Sequence, residues 1–238
     1  MERMRLDKFL ASYTSLSRKE AKHAIRRGEV SIEGRAATSE TEKVSTEQNI
    51  CLRGERVIVR EHLYLMMNKP KGVLSATRDR EERTVVELVT DAERKIFPVG
   101  RLDKDTEGFL LLTDDGELAH QLLSPTYHVP KTYYLEYEGE LVDDAVRRVA
   151  EGIDIGEKRL TRAGILQLKE EGKAELTIEE GKYHQVKRMI TALGGRVTYL
   201  KRLSMAGLEL DREMKPGEYR ELKEEEVSVL RDRANRKR

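Results

Sequence analysis

The chain has 238 residues, with 45 Lys and Arg against 44 Asp and Glu, a net charge of +1. This length suits one or two domains with a real core, and the charge balance carries no overall basic signature, so a nucleic-acid surface has to be sought in how charge is distributed. A single cysteine, Cys51, excludes an intrachain disulfide, and with no apolar run of about 18 residues and no signal-peptide core in "MERMRLDKFL", a cytoplasmic protein without membrane contact is expected.

In chain order, "RLDKFLASY" places Leu6, Phe9, Leu10 and Tyr13 at helical spacing. "SLSRKEAKHAIRRGEV" predicts a second helix, with Ser17 and Glu20 as a capping box and Gly28 as its stop. Ala21, Ala24 and Ile25 face inward, which leaves Arg18, Lys19, Lys22, Arg26 and Arg27 outward with Glu20 alone opposing them. After Gly28 the pattern alternates, with Val30 and Ile32 on one face and a turn at Glu33-Gly34. "NICLRGERVIVR" predicts another short strand pair. Charge alone leaves two readings of the basic helix, a solvated face or a set of phosphate contacts.

This stretch, "MRLDKFLAS…LSRKEAKHAIRRGEVSIEGR", resembles the S4 RNA-binding domain. The resemblance implies that the basic helix and the turn after it grip structured RNA. The small unit is read as residues 1–60, ending near Val59–Glu61.

Residues 61–238 mix strands and helices without a strict β-α-β repeat. "HLYLMMNKPKGVLSAT" begins a strand that breaks at Lys69-Pro70, and "RTVVELV" a short helix. "KIFPVGRLDKDTEGFLLLTDDGELAHQLLSP" predicts strand, loop, buried strand, turn and helix. "KTYYLEYEGE" is a strand with Tyr133, Leu135 and Tyr137 on one face. A helix in "VDDAVRRVAEG", a strand in "KAELTIEE", the helix "HQVKRMITAL" with Val186, Met189, Ile190 and Leu193 as its apolar face, and further strands in "RVTYLKRLSMAGLEL" follow. The class is α+β. Residues 231–238 are expected to be a frayed basic tail.

The stretch "GRLDKDTEGFLLLTDDG" concentrates acids: Asp103, Asp105, Glu107 and, further on, Asp114. A calcium loop would need flanking helices and a bidentate Glu at its last position, and it has neither here. A pair of carboxylates working on a glycosidic bond and a pair capping a turn both remain open on the pattern alone. The whole string, however, resembles the catalytic motif of pseudouridine synthases over about seventeen residues. "LMMNKPKGVLSA" and "EGKYHQVKRMITALGGRVTYLKRLSMAGLEL" resemble two further blocks of that family, in the expected order.

The resemblance implies a central mixed, largely antiparallel sheet flanked by helices, and an isomerase that needs no cofactor and no metal. It places the essential carboxylate at Asp103, a cation to keep it ionised at Lys187 with Arg188 as runner-up, and a ring to pack on the uracil at Tyr133. Asp105 and Glu107 are left to shape or solvate the loop. Arg101, Lys131, Lys182, His184, Gln185 and Arg188 are candidates for RNA contact, since residues 182–202 hold six Lys and Arg and no acid. An S4 domain ahead of this catalytic domain, with "EGKYHQVKRM", resembles the RsuA-type branch. That implies 16S ribosomal RNA or a small-subunit assembly intermediate as partner, a uridine of the position-516 type as target, and a monomer. A 23S enzyme and a non-catalytic RNA-binding or ribosome-assembly factor are the alternatives.

Overall fold

In the computed structural model, which describes residues 3–57, 59, 62–90 and 95–235, the chain divides into two units, Met1–Glu61 and His62–Arg238. Of the Val59–Glu61 junction, Arg60 and Glu61 lie outside the described residues.

The first unit begins with β1 (Met4–Arg5), α1 (Leu6–Tyr13) and α2 (Arg18–Arg26). The capping box at the start of α2 is closed in both directions: Glu20 N–H donates to Ser17 Oγ and Ser17 N–H to Glu20 Oε2. Strands β2 (Val30–Ile32), β3 (Arg35–Ala36), β4 (Lys43–Val44), β5 (Ile50–Leu52) and β6 (Glu55–Arg56) follow. Four form a sheet of order β3-β2-β5-β6, and β1 pairs with β4. Glu33 and Gly34 both take positive φ (50° and 77°), the two-residue turn whose twist suits a hairpin. Leu6, Phe9, Leu10, Ala21, Ala24, Ile25, Val30 and Ile32 share one buried core, so the apolar stripes read from sequence meet as expected.

The second unit is built on β7 (Tyr64–Lys69), β8 (Phe97–Pro98), β9 (Glu107–Thr113), β10 (Lys131–Glu138), β11 (Ile165–Leu168), β12 (Lys173–Ile178), β13 (Arg196–Met205), β14 (Leu208–Glu209) and β15 (Tyr219–Glu221). They form one nine-stranded sheet of order β11-β12-β10-β13-β9-β7-β15, with β14 beside β13 and β8 beside β9. Every pairing is antiparallel except β13 with β9, so the sheet is mixed and largely antiparallel.

Helices cover both faces. Along β9, Leu110 and Leu112 enter one core with Val186, Met189 and Ile190 of α5 (Gln185–Ala192) and Val149 of α4 (Ala145–Glu151). Phe109 and Leu111 enter the other, with Leu118 and Leu122 of α3 (Gly116–Leu123) and Leu230 of α6 (Glu224–Asn235). A strand buried on both sides needs apolar residues at every position, which is why "GFLLLT" reads as a continuous run.

One expectation fails here. Residues 231–235 are not frayed: α6 runs to Asn235, Ala234 is buried, and Arg233 donates to the His128 carbonyl at 2.8 Å. Val227, Leu230 and Ala234 supply a buried stripe that the surrounding charge hides in the sequence. Residues 236–238 lie outside the described residues.

Candidate active site

The acid-rich loop, residues 100–106, lies between β8 and β9. Strands flank it, so the helix–loop–helix of a calcium site is missing. Where it enters β9, Gly108 lies opposite Arg202 of β13 in the parallel pair. A Cβ on Gly108 would stand 2.2 Å from the Arg202 carbonyl oxygen, and φ is 104°. Only glycine lets the two strands approach this closely.

The loop is pinned from below by the "NKPKGVLSA" segment. Lys69 is fully buried, and its ammonium donates to the carbonyls of Pro70, Asp103, Lys104 and Thr106 at 2.9–3.4 Å. Burial pushes its pKa down to about 8, against the pull of Asp105, Glu107 and Asp103. Gly72 N–H donates to the Lys104 carbonyl. Ser75 Oγ both donates to the Leu102 carbonyl and accepts from the Leu102 N–H. The backbone on either side of Asp103 is therefore tied to the end of β7 and the segment that follows it.

The Asp103 side chain meets α5. Lys187 Nζ lies 3.1 Å from Asp103 Oδ2, and His184 Nε2 lies 3.5 Å from Asp103 Oδ1. Lys187 also contacts both oxygens of Asp105, at 2.7 and 2.9 Å. Asp103, Tyr133, Lys187, His184, Lys131 and Arg202 all line a cavity of about 910 Å³, and Arg101 and Lys182 lie on the same wall system. Tyr133 is nearly buried where it lines this cavity.

Several predicted contacts have other occupations. Arg188, the runner-up partner for Asp103, instead donates to Glu157 at 2.8 Å and to the carbonyls of Tyr183 and Ile155. Gln185 is buried, its amide spent on Glu180 and on the Lys182 N–H. Lys182 reaches the carbonyls of Arg159 and Leu160. Lys131 is buried and donates to the Val129 carbonyl. Burial and the neighbouring Arg202 push its pKa down to about 8.

Sequence reasoning assigned no task to Lys69 or Ser75, and counted Arg202 only as the end of a basic, RNA-facing run. Arg202 is 2% exposed, donates through Nε to the Phe109 carbonyl, and leaves Nη2 without a hydrogen-bond partner among the described residues. In the sequence Arg202 is one of three basic residues in its strand and nothing marks it as the buried one, and Lys69 sits at a strand end where a lysine is normally solvated.

The basic helix α2 belongs to the other unit. Its acids are more numerous than Glu20 alone: Asp7 lies 4.0 Å from Arg18 and 3.9 Å from Lys22, Glu40 pairs with Arg26, and Glu29 with Arg27. Asp7 is itself buried, which would raise its pKa. The two-pronged Arg5 contact and nearby Arg18 outweigh this and hold it below the usual range. Lys19 is exposed and makes no ion pair among the described residues.

Residues 63–192 match the RNA pseudouridylate synthase family and residues 4–50 the S4 domain. The chain is 49% identical to the RNA pseudouridine synthase YtzG of Bacillus subtilis, covering 96% of this chain and 99% of the relative. It is 38% identical to ribosomal small subunit pseudouridine synthase A of Escherichia coli, covering 95% and 100%. A crystal structure of a pseudouridylate synthase, 37% identical, superimposes with a TM-score of 0.68 over 95% of this chain and 99% of that one.

Proposed function

The chain belongs to the RsuA family of RNA pseudouridine synthases, and from that premise we propose that it isomerises a uridine of 16S ribosomal RNA through Asp103. The observation that carries the residue assignment is the Lys187 ammonium on the Asp103 carboxylate at the wall of the cavity.

The reaction breaks the N1–C1′ bond of uridine, turns the uracil and joins C5 to C1′. The proton on C5 is then lost and N1 gains one. There is no redox change and no net water, so one ionised carboxylate aimed at the ring or the sugar is sufficient. Lys187 sets its positive charge against that carboxylate at 3.1 Å, on the wall of the cavity. The target base leaves its stack to enter the cavity, and Tyr133 offers an aromatic face there. Lys69, Gly72 and Ser75 hold the loop backbone, so Asp103 is aimed before substrate arrives.

The 16S target rests on near full-length similarity to an enzyme named for the small subunit. The S4 unit supplies a basic helix suited to structured RNA.

Tritium release from ribosomal RNA labelled at uridine C5 tests the reading. Wild-type protein is expected to release tritium from 16S and not from 23S RNA, and Asp103→Asn from neither. Release from 23S alone overturns the target, and an active Asn variant overturns the site. Release from no ribosomal substrate leaves the alternative of an RNA-binding factor.

A further inference from the structure

Tyr183 has no place in the chemistry above, yet it is the most exposed of the large apolar side chains that lie on the described surface, at 76%. It does not lie loosely across that surface. Its ring is stacked on His184, with centroids 3.8 Å apart and planes 18° from parallel. His184 in turn reaches within 3.5 Å of Asp103. Two parallel rings therefore start at the proposed catalytic carboxylate and end in solvent, and both residues line the 910 Å³ cavity.

The backbone beneath the rings is built to present them. His184 takes a left-handed conformation, φ 48°, uncommon for a residue with a side chain. The Tyr183 carbonyl accepts from Arg188, the Gln185 N–H donates to the Lys182 carbonyl, and the Lys182 N–H donates to the Gln185 side chain. A clamped turn that holds an aromatic ring out of the core forgoes its burial, which is a cost unless the ring meets something else.

We infer that Tyr183, backed by His184, is a stacking platform for an unpaired RNA base adjacent to the target uridine. This rests on the proposed RNA-modifying function. Flipping the uridine strips its neighbours of a stacking partner, and an open aromatic face at the mouth of the cavity replaces it. The chemistry favours a base over an apolar side chain, since Lys182 and Lys187 line the same cavity as Tyr183 and no acid occurs between residues 182 and 202. Tyr133 is nearly buried, at 8% exposure, whereas Tyr183 stands open to solvent, so the two tyrosines offer different surfaces. Stacking reads a π-face rather than base edges, so the platform takes any base and favours purines for their area.

The test uses the full-length chain carrying Tyr183→Ala or Tyr183→Phe, with melting temperature as the control for folding. The RNA is a 16S transcript containing the modified uridine, intact or with an abasic nucleotide at one flanking position or the other. Tyr183→Ala is expected to weaken binding about tenfold, within the range typical of one base stacked on one ring, while Tyr183→Phe stays within about twofold. An abasic site at one flank should weaken wild type by the same factor and leave Tyr183→Ala unchanged. Losses that simply add, or an Ala variant that binds like wild type, overturn the platform.

Affinity for a short single-stranded oligoribonucleotide, compared between wild type and Tyr183→Ala, tests the platform without catalysis. If wild type binds and stacks but releases no tritium, the function fails and the platform stands. If it releases tritium and Tyr183→Ala matches it in binding both RNAs, the platform fails alone.

Discussion

Lys187 divides one ammonium between two acids, 3.1 Å from Asp103 and 2.7 Å from Asp105. Partial burial would raise the Asp105 pKa, but the Lys187 hydrogen bond outweighs it and holds it below 3.8. Partial burial likewise opposes the charge on Lys187, and its bonds to Asp105 and Asp103 hold it above 10.5. As pH rises, the acid therefore loses its proton earlier and the lysine later than in the unfolded chain, and this pair stays charged across the neutral range. Asp105→Asn removes a competitor for the cation and is expected to change turnover by less than about tenfold. Asp103→Asn is expected to lose on the order of a thousandfold or more, the scale for a sole nucleophile or base. Tritium release from both variants checks the distinction.

Lys69→Met keeps the length of the side chain and removes the donor shared by four carbonyls. The Lys104 and Asp103 carbonyls keep the N–H groups of Gly72 and Thr106 as donors, yet losing four charge-assisted bonds should still cost about 2–4 kcal/mol, measured by urea unfolding. Turnover should fall more than tenfold, because the loop that aims Asp103 relaxes. Affinity for 16S RNA is expected to change by less than about threefold, since α2 in the other unit is untouched.

How much of this was legible in sequence depended on whether the signal was local. The capping box at Ser17 and Glu20, the hairpin at Glu33-Gly34 and the apolar face of α5 are written in neighbouring residues, and they fold as read. The "FLLLT" run announced a strand but not what covers each face, because period-two alternation disappears when both sides are buried. The Lys69 contacts span 34 to 37 residues to reach the loop, so nothing beside Lys69 in the chain marks it as a buried cation. Asp105 was read as shaping or solvating the loop, and it holds the shorter contact to Lys187; a D-x-D spacing cannot rank two carboxylates against a distant lysine.

Gly108→Ala puts a methyl group against the backbone of Arg202, at a φ that side chains avoid. Neither strand can yield, since β9 is held by β7 on its other edge. We expect a loss of about 3 kcal/mol or more in urea unfolding, or an insoluble product. Gly116→Ala, where a Cβ meets nothing within 4 Å, is the matched control and should be nearly neutral.

On α2, Lys19 makes no ion pair among the described residues, while Lys22 lies near Asp7 and Arg26 pairs with Glu40. Replacing Lys22 and Arg26 with Ala should weaken 16S binding and reduce its salt slope by about 1.5. Lys19→Ala alone should take away about half as much. Binding measured across a salt series checks both, and unchanged slopes would remove α2 from the RNA contact.

Lys131 gives the clearest pH signature. Its folded pKa is pushed from 10.5 to about 8 by burial and by Arg202. Between those two values the unfolded chain binds the extra proton, so the lysine's contribution to stability rises with pH through that window and is flat below it. At neutral pH the buried charge is a burden. Lys131→Met should therefore be more stable than wild type at pH 7, with the advantage shrinking between about pH 8 and 10. Melting temperatures of both proteins over that range check the sign. A cation kept at such a cost in the wall of the cavity, beside a second buried cation at Arg202, is expected to serve an anionic substrate. The Met variant should accordingly bind 16S RNA more weakly even as it melts higher. A variant that gained stability and kept its affinity would show that Lys131 has no part in the RNA contact.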